Sequence, residues 1–151
     1  PFRGFLPSIG PLLQYAEPPA TSQAAEGGTC TIRVDSGVRA GTVISQYYDP
    51  MISKLVAYSP DSRTGAIAAL SDALDRYVIR GVGHNASFTS DVLRHPAFQE
   101  GRTPTDYIPT HYPDGFAGVS LTDEEREDMA AIGALVGRER RRALGSPPLN
   151  G

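Results

Sequence analysis

The fold is decided by the stretch VISQYYDPMISKL, residues 43–55. Its apolar and β-branched residues predict a strand on each side of the Asp-Pro step, because the residue before a proline is pushed out of the helical region. Such a break can aim the phenol of Tyr48, the carboxylate of Asp49 and the ammonium of Lys54, the sole lysine, at one region. The alternative is a sheet corner in which the tyrosines pack and Asp49 caps a turn.

Composition limits the possible classes of protein. The 151 residues, 40% of them hydrophobic, allow one domain or one and a half. A net charge of −3 offers no electrostatic case for binding nucleic acid or an anionic membrane. A single cysteine, Cys30, excludes an internal disulfide and fits a reducing compartment. No apolar run approaches the roughly 18 residues of a membrane span, and there is no signal-peptide pattern.

Both termini look like cuts in a longer polypeptide. The chain starts at Pro1 rather than at a methionine, and its last residues, 146–151, have the composition of a linker. We therefore expect this sequence to be a piece of a longer protein.

Hydrophobic periodicity predicts an α+β fold, with an antiparallel sheet and flanking helices over residues 1–115. We expect strands at residues 12–15, 29–35, 43–48, 51–58 and 78–79, and helices at residues 62–76 and 86–95. The strands and helices do not alternate as a parallel βαβ series would require. The three histidines lack metal-ligand spacing, so we assign no metal site.

The last predicted helix, at about residues 121–144, is marked by its charges. Thr122 and Glu125 have capping-box spacing, and the arginines of residues 138–142 suit the negative end of the helix dipole better than a nucleic-acid patch. A narrow apolar stripe on this polar helix needs a partner surface. The stripe consists of Met129, Ile132, Leu135 and Val136. We expect the helix to open a second domain, residues 116–151.

Several motifs, in their order and spacing, resemble the C-terminal part of the biotin carboxylase domain of biotin-dependent carboxylases. They are GFLPSIG at 4–10, RVDSGV at 33–38, YYDPMISKL at 47–55 and YVIRGVGHN at 77–85. The segment YPDGF at 112–116, followed by Leu121-Thr122, is similar to α subunits of the propionyl-CoA carboxylase type. There the carboxylase domain passes into the domain that binds the β subunit.

This resemblance implies a parent enzyme that uses ATP, Mg²⁺ and bicarbonate to carboxylate biotin. A carboxyltransferase β subunit then passes the carboxyl group to an acyl-CoA, and a biotin carrier domain of the same chain is the other partner. The ATP and metal ligands would lie upstream, and the biotinyl lysine downstream. We therefore expect no catalytic residue in this fragment, no activity from it alone, and neither nucleic acid nor membrane as a partner.

The resemblance also implies roles for individual residues, each with a structural alternative. Phe5 would contact the biotin ring, or else pin its own loop to the core. Tyr48, Asp49 and Lys54 would orient groups that touch biotin, or else pack, cap a turn and lie on the surface. Arg33 would lie at a subunit interface, or else pair with Asp35 or Glu26.

Two other functions remain open at this point. One is the α subunit of an acetyl- or methylcrotonyl-CoA carboxylase, because the choice of acyl-CoA lies in the β subunit. The other is a non-catalytic interaction module that keeps the fold without the site.

Overall fold

The computed structural model describes residues 6–23, 29–118 and 121–143. Phe5, expected to contact biotin, lies outside the described residues. The chain divides into two compact units at residue 118. Each unit is described separately below.

The first unit combines short strands with helices. Its strands are β1 (Gly10–Pro11), β2 (Gln14–Ala16), β3 (Thr21–Gln23), β4 (Thr29–Ser36), β5 (Val43–Ile44), β6 (Ser53–Tyr58) and β7 (Val78–Arg80). Its helices are α1 (Arg63–Arg76), α2 (Ala86–Arg94), α3 (Pro96–Gln99) and α4 (Tyr107–His111). Every strand pairing in these residues is antiparallel, which confirms the predicted α+β class.

The strands form three small sheets where we expected one. They are β3-β4-β6, β1-β5 and β2-β7. In the longest ladder, between β4 and β6, Asp35 lies opposite Lys54. In one two-stranded sheet, β1 pairs with β5, which precedes the Asp-Pro step. In the other, β2 pairs with β7, which follows α1.

The main core lies between β4 and α1. Strand β4 alternates as predicted and buries Cys30 and Ile32, which pack against Ala69 and Ala73 of the helix. Alanines suit this contact because small side chains let a helix approach a sheet closely. A second core joins the two-stranded sheets around Leu12, which is fully buried. Burying a leucine stabilises a fold by about 1.5–3 kcal/mol.

The ends of α1 are determined locally. Either Asp61 or Ser62 could cap the helix by sequence, and the structure selects Ser62, whose hydroxyl accepts a hydrogen bond from the backbone N–H of Gly65 at 3.0 Å. It ends at Arg76, and Tyr77 takes up extended backbone that leads directly into β7.

The strand predicted over residues 43–48 is too long. Strand β5 ends at Ile44, and residues 45–52 form turns and irregular backbone. Here the hydroxyl of Ser45 accepts from the backbone N–H of Tyr47 at 3.1 Å, and Asp49 Oδ1 accepts from that of Met51 at 2.9 Å. These short-range bonds replace ladder pairing, as Ser and Asp side chains often do.

The start of α2 also differs from expectation. Asn85 occupies the N-cap position, but its side chain makes no capping hydrogen bond. The neighbouring His84 supplies the acceptor instead, since its Nδ1 accepts from the N–H of Ala86 at 3.4 Å. The helix ends before Pro96, as predicted, and Pro96 then opens α3.

The second unit contains helix α5, Asp123–Ala143. The predicted capping box is present: Thr122 Oγ1 accepts from the N–H of Glu125 at 3.2 Å, and Glu125 Oε2 accepts from that of Thr122 at 2.8 Å. The hydrogen bonds from Thr122 hold the pKa of the Glu125 carboxyl below its usual value. All four residues of the apolar stripe are more than half exposed.

Candidate functional site

An open cleft of about 670 Å³ lies in the first unit. Its walls come from residues 6–8, from residues 49–53 at the start of β6, from α1 and from residues 83–89 at the start of α2. The lining is largely apolar, as in most small-molecule sites. Its polar groups are contributed by Ser8, Asp49, Ser53, Tyr77, His84, Asn85 and Thr89.

Asp49 is the predicted site residue that the fold brings to this cleft. Its Oδ1 caps the turn at Met51, so the structural alternative is realised. The two roles are compatible, because an ionised carboxylate has about four acceptor positions and the turn uses one of them. Asp49 can therefore hold the cleft wall and still present negative charge.

The neighbouring Tyr48 and Lys54 are not among the residues that line the cleft. Tyr48 is 80% exposed. Lys54 is exposed on β6, and no ion pair within the described part of the chain joins it to Asp49. Their orienting role stays a prediction.

Arg33 makes the simpler of its two expected contacts. Its Nε lies 3.0 Å from Asp35 Oδ1 on the same face of β4, and both side chains are about half exposed or more. An exposed pair of this kind contributes little to stability. A role for Arg33 at an interface stays a prediction.

Sequence reasoning missed a chain of hydroxyl groups beside the cleft. The Tyr77 hydroxyl lies 2.6 Å from Ser53 Oγ and 2.5 Å from the Tyr15 hydroxyl. Burial is the main cause that raises the pKa of Tyr77 above its usual value, so this phenol stays protonated at neutral pH. In the sequence Tyr77 opens the motif at residues 77–85, but nothing in that motif indicates these neighbours, which come from distant parts of the sequence.

His84 is a second cleft residue whose environment sequence reasoning missed. Burial is the main cause that lowers its pKa, with Arg80 adding to the effect and a backbone hydrogen bond at Ile79 opposing it. The imidazole is therefore neutral at pH 7. Because Nδ1 accepts from Ala86, the ring proton is on Nε2.

Mg²⁺ finds no suitable set of side-chain ligands in the described residues. They contain no cluster of three or more His, Cys, Asp or Glu side chains that could hold a metal ion. The largely apolar cleft can accommodate a small ligand that carries a few polar groups. None of the described helices is both long and apolar enough to cross a membrane.

Residues 1–110 match the biotin carboxylase C-terminal domain family. The match covers the greater part of the 151 residues. The chain belongs to this family. The resemblance drawn from the motifs is thereby confirmed.

Curated relatives of this biotin carboxylase C-terminal domain include propionyl-CoA carboxylase alpha chains. That of Ruegeria pomeroyi is 42% identical over 149 residues, covering 91% of this chain and 22% of the relative. The human mitochondrial one is 46% identical over 133 residues, covering 87% of this chain and 17% of the relative. The mouse mitochondrial methylcrotonoyl-CoA carboxylase subunit alpha is 35% identical over 136 residues, covering 90% of this chain and 18% of the relative. The chain thus spans about a fifth of its relatives' length.

Solved structures support the same assignment of the biotin carboxylase C-terminal fold. The biotin carboxylase domain of Hydrogenobacter thermophilus 2-oxoglutarate carboxylase superposes with a TM-score of 0.63 at 29% identity, covering 72% of this chain and 22% of that one. Pyruvate carboxylase of Rhizobium etli superposes with a TM-score of 0.63 at 32% identity, covering 79% of this chain and 11% of that one.

Proposed function

We propose that this chain is part of the α subunit of a biotin-dependent acyl-CoA carboxylase and completes the place where biotin is carboxylated. The observation that carries the proposal is the cleft with Asp49 in its wall, in a chain of the biotin carboxylase C-terminal domain family. Family membership supplies the chemistry, a ligase reaction on biotin. The cleft supplies a place for it.

In this proposal the described residues position groups and transfer no proton themselves. Biotin, when bound, accepts the carboxyl group at a ring nitrogen. Asp49 orients a cationic group that another part of the enzyme supplies and that acts on the biotin ring, and the apolar wall around Leu55 and Leu74 excludes water. Such groups accelerate a reaction through preorganisation. ATP and Mg²⁺ bind to other parts of the enzyme.

The proposed acyl substrate of the whole enzyme is propionyl-CoA. The support is the higher identity to propionyl-CoA carboxylase alpha chains, 42% and 46%, compared with 35% to the methylcrotonoyl-CoA relative. Residues 1–115 would form the biotin carboxylase part, and residues 116–151 would begin the domain that docks on the carboxyltransferase β subunit. A biotin carrier domain would be the second partner, and the enzyme would work in the cytoplasm or the mitochondrial matrix.

A streptavidin blot of the native protein, combined with its intact mass, tests this proposal. We expect a biotinylated chain several times longer than 151 residues. The purified enzyme should cleave ATP when biotin and bicarbonate are added, and should carboxylate propionyl-CoA faster than 3-methylcrotonyl-CoA. An unbiotinylated protein of 16.1 kDa without this activity would instead be a non-catalytic module.

A further inference from the structure

Five polar groups form one continuous hydrogen-bonded chain at the edge of the cleft. From the Tyr77 hydroxyl it runs in one direction to Ser53 Oγ at 2.6 Å, and in the other to the Tyr15 hydroxyl at 2.5 Å. The Tyr15 hydroxyl in turn lies 2.8 Å from Ser36 Oγ and 3.1 Å from Glu17 Oε1. The rings of Tyr15 and Tyr77 also meet edge to face, with centroids 5.6 Å apart.

The groups at the Tyr15 end of this hydrogen-bonded chain determine which hydroxyl is the donor in each hydrogen bond. The Glu17 carboxylate can only accept, and the Ser36 hydroxyl donates its proton to the Val38 carbonyl at 3.1 Å. Tyr15 must therefore donate towards these two groups. Since a hydroxyl has one proton, Tyr77 donates to Tyr15, and Ser53 donates to Tyr77.

This hydrogen-bonded chain connects the β2-β7 sheet with the β3-β4-β6 sheet, in which Ser36 lies opposite Ser53. Tyr15 belongs to β2 in one sheet, Ser36 and Ser53 belong to β4 and β6 in another, and Tyr77 joins the end of α1 to β7. Ser53 is the first residue of β6, where the irregular segment carrying Asp49 enters the sheet. Holding Ser53 therefore holds the end of the segment that forms one wall of the cleft.

We infer that Tyr77 is a positioning residue, which acts through Ser53 on the Asp49 segment and so sets the wall of the cleft. The inference rests on the proposed function, because the cleft must be the place where biotin is carboxylated. The Tyr77 side chain also lines the cleft, but its hydroxyl is engaged with Ser53 and Tyr15, so we expect this hydroxyl to act on the ligand through the segment. This hydroxyl should therefore matter only while Asp49 is present.

Substitutions in the full-length α subunit test this inference. Tyr77→Phe removes the hydroxyl and keeps the ring, and we expect kcat/KM for free biotin to fall about fivefold, the value of one hydrogen bond. In an Asp49→Ala background the same substitution should have almost no further effect, because coupled residues are not additive. Tyr58→Phe is the matched control, since Tyr58 is 62% exposed on β6.

A second pair of variants separates the hydroxyl from side-chain shape. Ser53→Thr keeps the donor, whereas Ser53→Val has nearly the same shape without it. The threonine variant should have a kcat/KM for free biotin about fivefold higher than that of the valine variant. Equal activity of the two, or an undiminished effect of Tyr77→Phe in the Asp49→Ala background, would overturn the inference.

Hydrogen exchange at the Met51 amide provides a readout that does not need activity. This N–H donates to Asp49 Oδ1, so it reports how firmly the segment is held. It should exchange faster in Tyr77→Phe and in Ser53→Val than in Ser53→Thr, and unchanged exchange would overturn the inference. Wild-type enzyme that lacks biotin-dependent ATP cleavage would refute the proposed function, and the exchange result would still decide whether Tyr77 holds the segment.

Discussion

At the scale of single residues, the most consequential group is the carboxylate of Asp49. It caps a turn through one oxygen and contributes charge to the cleft wall. These two roles need different chemistry, since a turn cap needs an acceptor and an orienting anion needs a charge. Substitution can therefore separate them.

We predict that Asp49→Ala in the full enzyme slows biotin carboxylation with little loss of stability. Losing one exposed hydrogen bond costs less than about 1.5 kcal/mol of unfolding free energy. Asp49→Asn is the matched variant, because it can keep the cap to Met51 while removing the charge. Biotin-dependent ATP cleavage is the measurement, and an unchanged rate in both variants would rule out the orienting role.

From the partly buried His84 we predict an acid-sensitive contribution to stability. Its pKa is lowered in the folded state, so unfolding takes up a proton once the pH falls below the ordinary value of 6.5. The contribution is present above that pH and is lost as the pH falls towards the folded pKa. The free energy of unfolding should thus decrease less between pH 7 and pH 5 in His84→Gln than in wild type, as urea titrations can measure. Parallel pH profiles would contradict this prediction.

At the scale of elements, β7 depends on a glycine at its end. Gly81 has a φ of +111°, and a Cβ placed there would lie 2.1 Å from the backbone oxygen of Pro11. This close approach lets the N–H of Leu13 reach the carbonyl of Arg80 at 2.8 Å, which extends the pairing of β2 with β7. The sheet that carries Tyr15 therefore requires glycine at this position.

We predict that Gly81→Ala costs roughly 3 kcal/mol or more of unfolding free energy, because backbone must move to relieve the clash. Gly115→Ala is the control: Gly115 also has a positive φ, +79°, but nothing lies within 4 Å of its added Cβ. That variant should show the conformational penalty alone, about 1–2 kcal/mol. Chemical denaturation of both proteins gives the comparison, and equal losses would show that the contact with Pro11 is unimportant.

At the scale of the whole molecule, α5 has an apolar stripe without a partner among the described residues of its own unit. Met129 is 62% exposed, and Ile132 and Leu135 are each 57% exposed. Single exposed apolar residues are common, but a contiguous stripe on a helix indicates a surface that another element covers. Docking of the β subunit on this stripe is the proposed reason.

We predict that Ile132→Glu prevents assembly of the α and β subunits while biotin carboxylation by the α subunit continues. A charge in the centre of an apolar contact costs several kcal/mol when it is buried without a partner. Ala134→Glu adds the same group to the opposite face of the helix, given about 3.6 residues per turn, and should assemble normally. Size-exclusion co-elution with the β subunit decides between the outcomes. Normal assembly of Ile132→Glu would show that the stripe is not part of the interface.

Sequence alone determined the features that depend on near neighbours. The alternation of β4 and the capping box of α5 each involve residues a few positions apart, so local rules suffice, and the same rules limited the N-cap of α1 to Asp61 or Ser62. The motif order likewise identified the family. The lengths of the strands around the Asp-Pro step were overestimated, because local bonds of Ser45 and Asp49 displaced the ladder.

The tertiary structure alone decided which groups surround the cleft. Tyr15 and Tyr77 are 62 positions apart, and Ser53 and Tyr77 are 24 apart, yet their hydroxyls meet. No periodic pattern predicts such contacts, because the first depends on the pairing of β2 with β7 and the second on how this sheet lies against β6. The chemistry of Asp49 could therefore be proposed from its motif, whereas the groups that we infer to position its segment became evident only in the fold.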